Sequence, residues 1–366
     1  MKNSSTLLCL LIFSAALNAQ AIIPFDTTYW EIKAQGHVRE SFEGKDAIYL
    51  KQGFATLKDV EFYNGTIEFD IYLTERRSFP GIRFRITDDS NMESFYFRPH
   101  QSGNPDANQA TPVINGHSGW QLYFGPAYSF AYEYAFDTWT HVKLVVKDQQ
   151  AQLFLNHTEQ PNLSWHLKQK PEKGAIAIGG SGPAAMHYAN FKYSTQEPQL
   201  VNFQVPTREP IEGVIQEWTI SDKFEETELE QLDNLDKLIQ ERTWPQKIQV
   251  EENYAANISR AASRNGSAGN TVFAKITLQS DQKQWKLLEF GYSDRVVVLL
   301  NGKPIYRGAN GFVTRDYRYL GTIGFFDAVY LDLKKGENTL LFAVSEDFGG
   351  WGVMARLVDE RGVTLH

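Results

Sequence analysis

From residue 65 onward the chain is built of short runs in which apolar and polar residues alternate. GTIEFDIYL (65–73) places Ile67, Phe69, Ile71 and Leu73 on one face and Glu68, Asp70 and Tyr72 on the other. GIRFRI (81–86) places Ile82, Phe84 and Ile86 opposite Arg83 and Arg85. Period-two alternation of this length marks a half-buried β-strand. Runs at 141–147 and 151–155, joined by Asp148-Gln149-Gln150, predict a hairpin, and 174–179 and 189–193 supply further strands. No amphipathic helix interrupts the series, which predicts an all-β sandwich over residues 22–198.

The stretch 95–125 stands out within this domain. Phe95 and Phe97 take one face of a strand, and Tyr96 and Arg98 the other. A polar loop follows, holding His100, Asn104, Asp106, Asn108, Asn115 and His117, and the spacing predicts a closing strand over Trp120–Phe124, with Gln121 and Tyr123 on its polar side. A long polar loop held between strands usually serves binding or chemistry.

Pro198, Pro206 and Pro210 punctuate a linker at 199–210. The acidic segment 224–244 repeats Leu229, Leu232, Leu235 and Leu238, which predicts one short helix laid on a second sandwich. Alternation then returns at 271–278, 285–292, 295–300, 328–333, 338–344 and 352–357, and Asn301-Gly302 forms a hairpin turn. The chain therefore reads as two β-sandwich (jelly-roll) domains in tandem, the second over 211–366.

Composition sharpens the picture. Aromatic residues make up 13% of the chain, in keeping with strands and with sugar-stacking surfaces. The formal charge of -8 argues against nucleic acid as a partner, since phosphate needs a basic face. Residues 1–21 read as a signal peptide: Lys2, then LLCLLIFSAAL, then the Ala19-Gln20-Ala21 cleavage pattern. That run is too short to span a membrane, so a periplasmic or secreted bacterial protein is expected. The single cysteine, Cys9, lies within this leader, so the mature protein rests on packing rather than on disulfides.

FYNGTIEFDIYL, FPGIRFRITDDSNMESFYFRPHQSGNPDANQ, SGWQLYFG and FDTWTHVKLVVKDQQAQLFLN resemble the concanavalin A-like lectin/glucanase superfamily, including its laminin-G-like and 3-keto-disaccharide hydrolase-type members, over roughly 28–195. LLEFGYSDRVVVLLNGKPIYRG and LKKGENTLLFAVSEDFGGWGVMARL resemble the galactose-binding-like jelly roll. The resemblance implies lectins, hydrolases and adhesion modules alike. Glucanases of the superfamily carry E-x-D-x-E or E-x-D-x-x-E on one strand; Glu68-x-Asp70 is present, but Tyr72 and Leu73 stand where the third acid belongs.

If the apolar faces share a core, Arg83, Arg85, Tyr96, Arg98, Gln121 and Tyr123 line a concave sheet with His100 and Asp106 at its rim, a surface suited to a polyhydroxylated ligand. Carbohydrate is the expected partner. In an enzyme, Glu68, Asp70 and His100 would be catalytic. In the second domain Arg307, Asn310, Arg315, Asp316, Glu346, Asp347 and Trp351 are loop candidates, Trp351 either exposed over the loops or wedged beneath a turn. Asp88 and Asp89, beside Asn91, offer oxygen ligands for Ca²⁺ or serve as turn chemistry. Three readings stay open: an exported glycan-binding protein, a glycoside hydrolase using the same groove, and an adhesion module with no small-molecule site.

Overall fold

The computed structural model describes residues 21–231, 234–266, 269–316 and 320–365; the expected leader falls on residues 1–20 and lies outside them but for Ala21. The first half contains β1 (Trp30–Phe42), β2 (Lys45–Leu57), β3 (Gly65–Leu73), β4 (Phe79–Asp88), β5 (Asn91–Phe97), β6 (Asn108–Ile114), β7 (His117–Ser118), β8 (Thr138–Lys147), β9 (Gln150–Leu155), β10 (Leu163–His166), β11 (Ala175–Ser181) and β12 (Met186–Ser194). They form one antiparallel sheet in the order β10-β9-β8-β3-β12-β2-β11-β4-β5-β6-β7, with β1 paired to β2. The sheet curls at β2, which pairs with β12 through Ala47–Leu50 and with β11 through Gly53–Thr56. Two strips thereby face each other. The expected inward residues Ile67, Phe69, Ile71 and Leu73 of β3 meet Ile82, Phe84, Phe95 and Phe97 of β4 and β5 in a single core. Removing this apolar surface from water at about 25 cal/mol per Å² is what holds a cysteine-free sandwich together.

The second half contains β13 (Glu217–Ile220), β14 (Gln246–Gln249), β15 (Ala256–Asn257), β16 (Thr271–Ser280), β17 (Gln284–Ser293), β18 (Arg295–Leu300), β19 (Lys303–Ala309), β20 (Asp327–Leu333), β21 (Gly336–Ser345), β22 (Gly352–Leu357) and β23 (Val363–Leu365). One sheet runs β14-β13-β16-β21-β18-β19, with β23 added to β16, and the other β15-β22-β17-β20. Their inner faces enclose Trp218, Phe290, Phe342 and Trp351. Asn301 and Gly302 turn the β18–β19 hairpin with φ of 50° and 79°, the paired positive values that Asn-Gly supplies at least strain. In place of one helix across 224–244 there is a 3₁₀ turn, Glu226–Glu230, and a short α1 (Leu235–Gln240). Leu229, Leu235 and Leu238 pack on Phe273 and Leu341 of the sheet, while Leu232 lies outside the described residues.

Two expectations in the first half are corrected. The region after Phe97 is not all loop: Asn108–Ile114 forms β6 and pairs with β5. Trp120–Phe124 is not a strand but a turn, whose Leu122, Tyr123 and Tyr128 pack with Ala255, Ile323 and Met354 of the second half. The halves are therefore joined by a packed seam. Asn253 donates to the Leu122 carbonyl at 2.7 Å, Asn115 to that of Ser259 at 2.8 Å, and the Ile323 amide to that of Gln121 at 3.0 Å.

Candidate functional site

The outer face of β11, β4, β5 and β6 carries a cavity of about 320 Å³, at the small end of the range for ligand pockets. Its floor and walls come from Phe54, Phe79, Arg83, Tyr96, Arg98 and Trp120, and Phe312, Leu320 and Phe348 of the second half complete it. Strand pleating brings Arg83 and Tyr96 here, because their neighbours Ile82, Phe84, Phe95 and Phe97 point into the core. Gly81 permits the close approach of β5, since a Cβ there would meet the Phe95 carbonyl.

Trp120 is held in place by a relay. Tyr96 donates its hydroxyl hydrogen to Gln109 at 2.6 Å, and the Gln109 amide donates to the Trp120 carbonyl at 2.8 Å. The Trp120 ring then stands 5.6 Å from Phe348 and 6.1 Å from Phe312. Both phenylalanines are substantially exposed, at 55% and 41%. Rings left half in water at the mouth of a mainly apolar cavity edged by arginines offer stacking surface.

The cationic groups are unevenly satisfied. Arg98 pairs with Asp106, but its Nε is buried without a partner. Arg83 lies over the Phe54 ring at 3.7 Å and has no hydrogen bond or ion pair among the described residues. Burial pushes its pKa below the usual arginine value, and no acid counters that. His100 packs edge-on to Phe79 at 5.2 Å, and its buried Nδ1 has no partner. Burial, with the nearby charges of Arg98 and Arg77, lowers its pKa. Among the described residues no Asp or Glu lines this cavity.

Glu68 and Asp70 are elsewhere. They project from β3 on the opposite strip, and Asp70 lines a separate hollow with Lys45, His141, Asn190 and Lys192. His141 Nδ1 lies 2.7 Å from Asp70 and its Nε2 3.3 Å from Glu68. Lys45 reaches Asp70 at 2.7 Å, Lys192 reaches Glu68 at 3.1 Å, and Asn190 donates to Asp70 at 2.6 Å. The hydrogen bond from His141, joined by Lys192, brings Glu68 down to about 2. Burial pushes Asp70 up, but His141, Lys45 and Asn190 outweigh it and leave it at about 2. Burial likewise opposes charge on His141, yet the two carboxylates raise it to about 9. Both acids are ionised at neutral pH, so neither holds the proton a general acid must deliver. His100 does not share their hollow, so the expected trio of Glu68, Asp70 and His100 is not brought together.

The other expected residues divide in the same way. Arg85 is not on the groove. It occupies a bulge in β4 at φ 48°, and its buried guanidinium donates to the carbonyls of Tyr63 and Asp148 at 2.9 and 2.6 Å. Gln121 and Tyr123 are also absent from it, both being buried in the seam. Gln121 accepts from Ser293 and donates to the Leu320 carbonyl, each at 2.9 Å. Asp88 spends its oxygens on its own turn, accepting from Ser90 at 2.6 Å and Asn91 at 3.1 Å, while Asp89 is exposed. Among the described residues no group of three or more His, Cys, Asp or Glu side chains could hold a metal ion, so the Ca²⁺ expectation gains nothing from this turn.

The second-half candidates do not converge. Arg307 reaches the Leu229 carbonyl at 3.5 Å, Arg315 pairs with Asp327, and Asp347 pairs with Arg295 at 2.5 Å. Asn310 and Glu346 are buried. Trp351 is buried and donates to the Val344 carbonyl at 3.0 Å, so the wedged alternative holds. What the loops of this half contribute instead is Phe312 and Phe348. A wider hollow of about 720 Å³ between 125–131, 160–164 and 202–206 has no charged side chain in its walls.

No family model matches the chain, and no curated protein matches it. Solved structures do. A carbohydrate-binding module, CBM66, from Bacillus subtilis is 14% identical, with 45% of this chain and 94% of that one covered at a TM-score of 0.36. A protein of unknown function with a galectin-like fold, also from Bacillus subtilis, is 12% identical over 45% and 89% of the two chains, at 0.35. A Bacillus licheniformis β-glucanase is 11% identical over 49% and 97%, at 0.35. Among the described residues no helix is long and apolar enough to cross a membrane.

Proposed function

We propose that this chain is an exported carbohydrate-binding protein that holds a short saccharide in the cavity on β4 and β5. One observation carries the reading: the exposed rings of Phe312 and Phe348 and the partly buried ring of Trp120 share that cavity with the guanidinium of Arg83, which has no hydrogen bond or ion pair among the described residues, and with Arg98. A sugar ring presents C–H groups on its faces and hydroxyls at its edge, so rings below and fixed donors beside it are complementary. Binding is favoured over cleavage because glycoside hydrolysis generally needs a carboxyl pair flanking the bond, and no carboxylate lines these walls among the described residues.

The deciding experiment is a glycan array followed by calorimetry on the best ligand. Trp120→Ala should weaken binding about tenfold or more, as truncation of a central aromatic anchor does, without a fall in cooperativity of unfolding. An array without hits from folded protein would defeat the reading.

A further inference from the structure

The molecule as a whole is acidic, with a formal charge of -8, yet this cavity is not. Arg77, Arg83 and Arg98 line it and, among the described residues, no Asp or Glu does. Of the three, Arg98 alone has a counter-charge among the described residues, in Asp106. Arg83 is the anomaly. It sits in mid-strand, half-buried, on a face shared with Tyr96, and the aromatic ring of Phe54 covers one side of its guanidinium. Among the described residues its planar fork of N–H groups has no acceptor, which leaves it facing the cavity and solvent. A cation drawn partly out of water with no counter-charge among the described residues costs stability, and a purely structural position would be served as well by an apolar side chain. Sites where local rules are broken without an internal remedy are commonly ligand sites.

We propose that the saccharide bound here is an anionic one, and that its carboxylate or sulfate group is received by the guanidinium of Arg83 while its ring stacks at Trp120. The proposal rests on the saccharide-binding reading and narrows it to a ligand class. Planar, bidentate capture of an oxyanion is the chemistry a guanidinium performs best. Phe54 holds the fork flat, and Arg77 beside Phe79 adds positive potential at the mouth. His100, expected at the rim, does not line the cavity, and Arg98 reaches it as a further cation beside Tyr96.

The test uses the full chain and an array in which each oligosaccharide backbone is present in neutral, carboxylated and sulfated forms. Hits should concentrate among the acidic forms, and the carboxylated and sulfated arms report which oxyanion is preferred. Arg83→Met should weaken the acidic hits about 10- to 100-fold, the scale of a hydrogen-bonded charge, and Arg83→Lys should recover part of the loss. Arg83→Met should also melt no lower than the parent, because the arginine has no hydrogen bond or ion pair to lose among the described residues and methionine still covers the Phe54 ring. Affinity for the acidic hits should fall as salt rises. Hits on neutral forms that Arg83→Met leaves unchanged would overturn the anionic proposal and leave the saccharide reading standing. No hits in any arm from cooperatively folded protein would overturn both.

Discussion

Tyr123 and Glu251 meet across the seam between the two halves, the phenol donating to the carboxylate at 2.9 Å. The same carboxylate takes a second bond from Arg260 at 2.7 Å, and the phenol oxygen accepts from Asn257 at 2.9 Å. Tyr123 is fully buried, so removing its hydroxyl strands the Asn257 amide and one lone pair of Glu251 without water to replace it. Tyr123→Phe should therefore cost about 1–3 kcal/mol in urea unfolding. It should leave the saccharide site unaltered, because the ring stays in place against Tyr128.

Two arginines that the alternation places on the same face, Arg83 and Arg85, should behave oppositely. Arg85 ties the 63–64 loop to the β8–β9 turn through the carbonyls of Tyr63 and Asp148. Arg85→Met leaves those acceptors bare and should destabilise the protein by about 2–4 kcal/mol, with ligand affinity unchanged. Arg83→Met should do the reverse. Paired melting curves and titrations on the two variants check this, and equal losses of affinity would mean that Arg85 reaches the cavity after all.

The same pair shows what the sequence discloses and what it hides. Alternation located β3 and placed Ile67, Phe69, Ile71 and Leu73 inward, as found. It also placed Arg83 and Tyr96 on one open face. It misplaced Arg85 because a bulge sets three steps of β4, Arg83 to Ile86, opposite two of β11, and period two cannot announce that in advance. β1 left no clear mark: most of its side chains beyond Ala34 are exposed, so no apolar face is required of it. Trp120–Phe124 reads as a strand by composition, but Gly349 and Gly350 of the other half, at φ 113° and 130°, make room for Gln121 and Leu122 there. The aromatic wall from Phe312 and Phe348 is a product of that seam, and a single chain read in order gives no signal that distant loops will meet.

The network around His141 predicts a particular pH profile. Its pKa rises from 6.5 to about 9, so the stabilisation it gives is complete below 6.5 and is lost as pH climbs through 9. Glu68 and Asp70, lowered to about 2 from 4.5 and 3.8, contribute above those ordinary values and lose their contribution as pH falls toward 2. The network is thus strongest between about pH 4.5 and 6.5. The wild type should lose about 1–3 kcal/mol between pH 6.5 and 9, and His141→Gln should be less stable at pH 6 and lack that decline. A decline of equal size in the variant would assign it to other groups.

The last expectation concerns Glu346, whose Oε1 accepts from the Gly350 amide at 3.0 Å while its Oε2 is buried without a partner. His117, from the first half, places Nδ1 3.9 Å from Oε1, too far for a hydrogen bond, and its own Nε2 is also unpartnered. Burial, with Asp294 adding negative charge nearby, drives the Glu346 carboxyl well above its ordinary range. Burial, with Arg264 and Lys223 adding positive charge, holds His117 down to about 4. Both shifts favour the uncharged forms, and at 3.9 Å the two side chains make no hydrogen bond across the seam. Because the folded pKa of Glu346 is raised, folding becomes progressively less favourable as pH rises above its unfolded value of 4.5. His117 acts at the other end, weakening the fold as pH falls from 6.5 toward 4. Glu346→Gln removes only the first effect and keeps an acceptor for Gly350. The variant should match the wild type at pH 4.5 and be the more stable of the two at pH 8, read by urea unfolding at both. A difference independent of pH would mean that the Glu346 carboxyl keeps its ordinary pKa in the folded chain and would overturn this expectation.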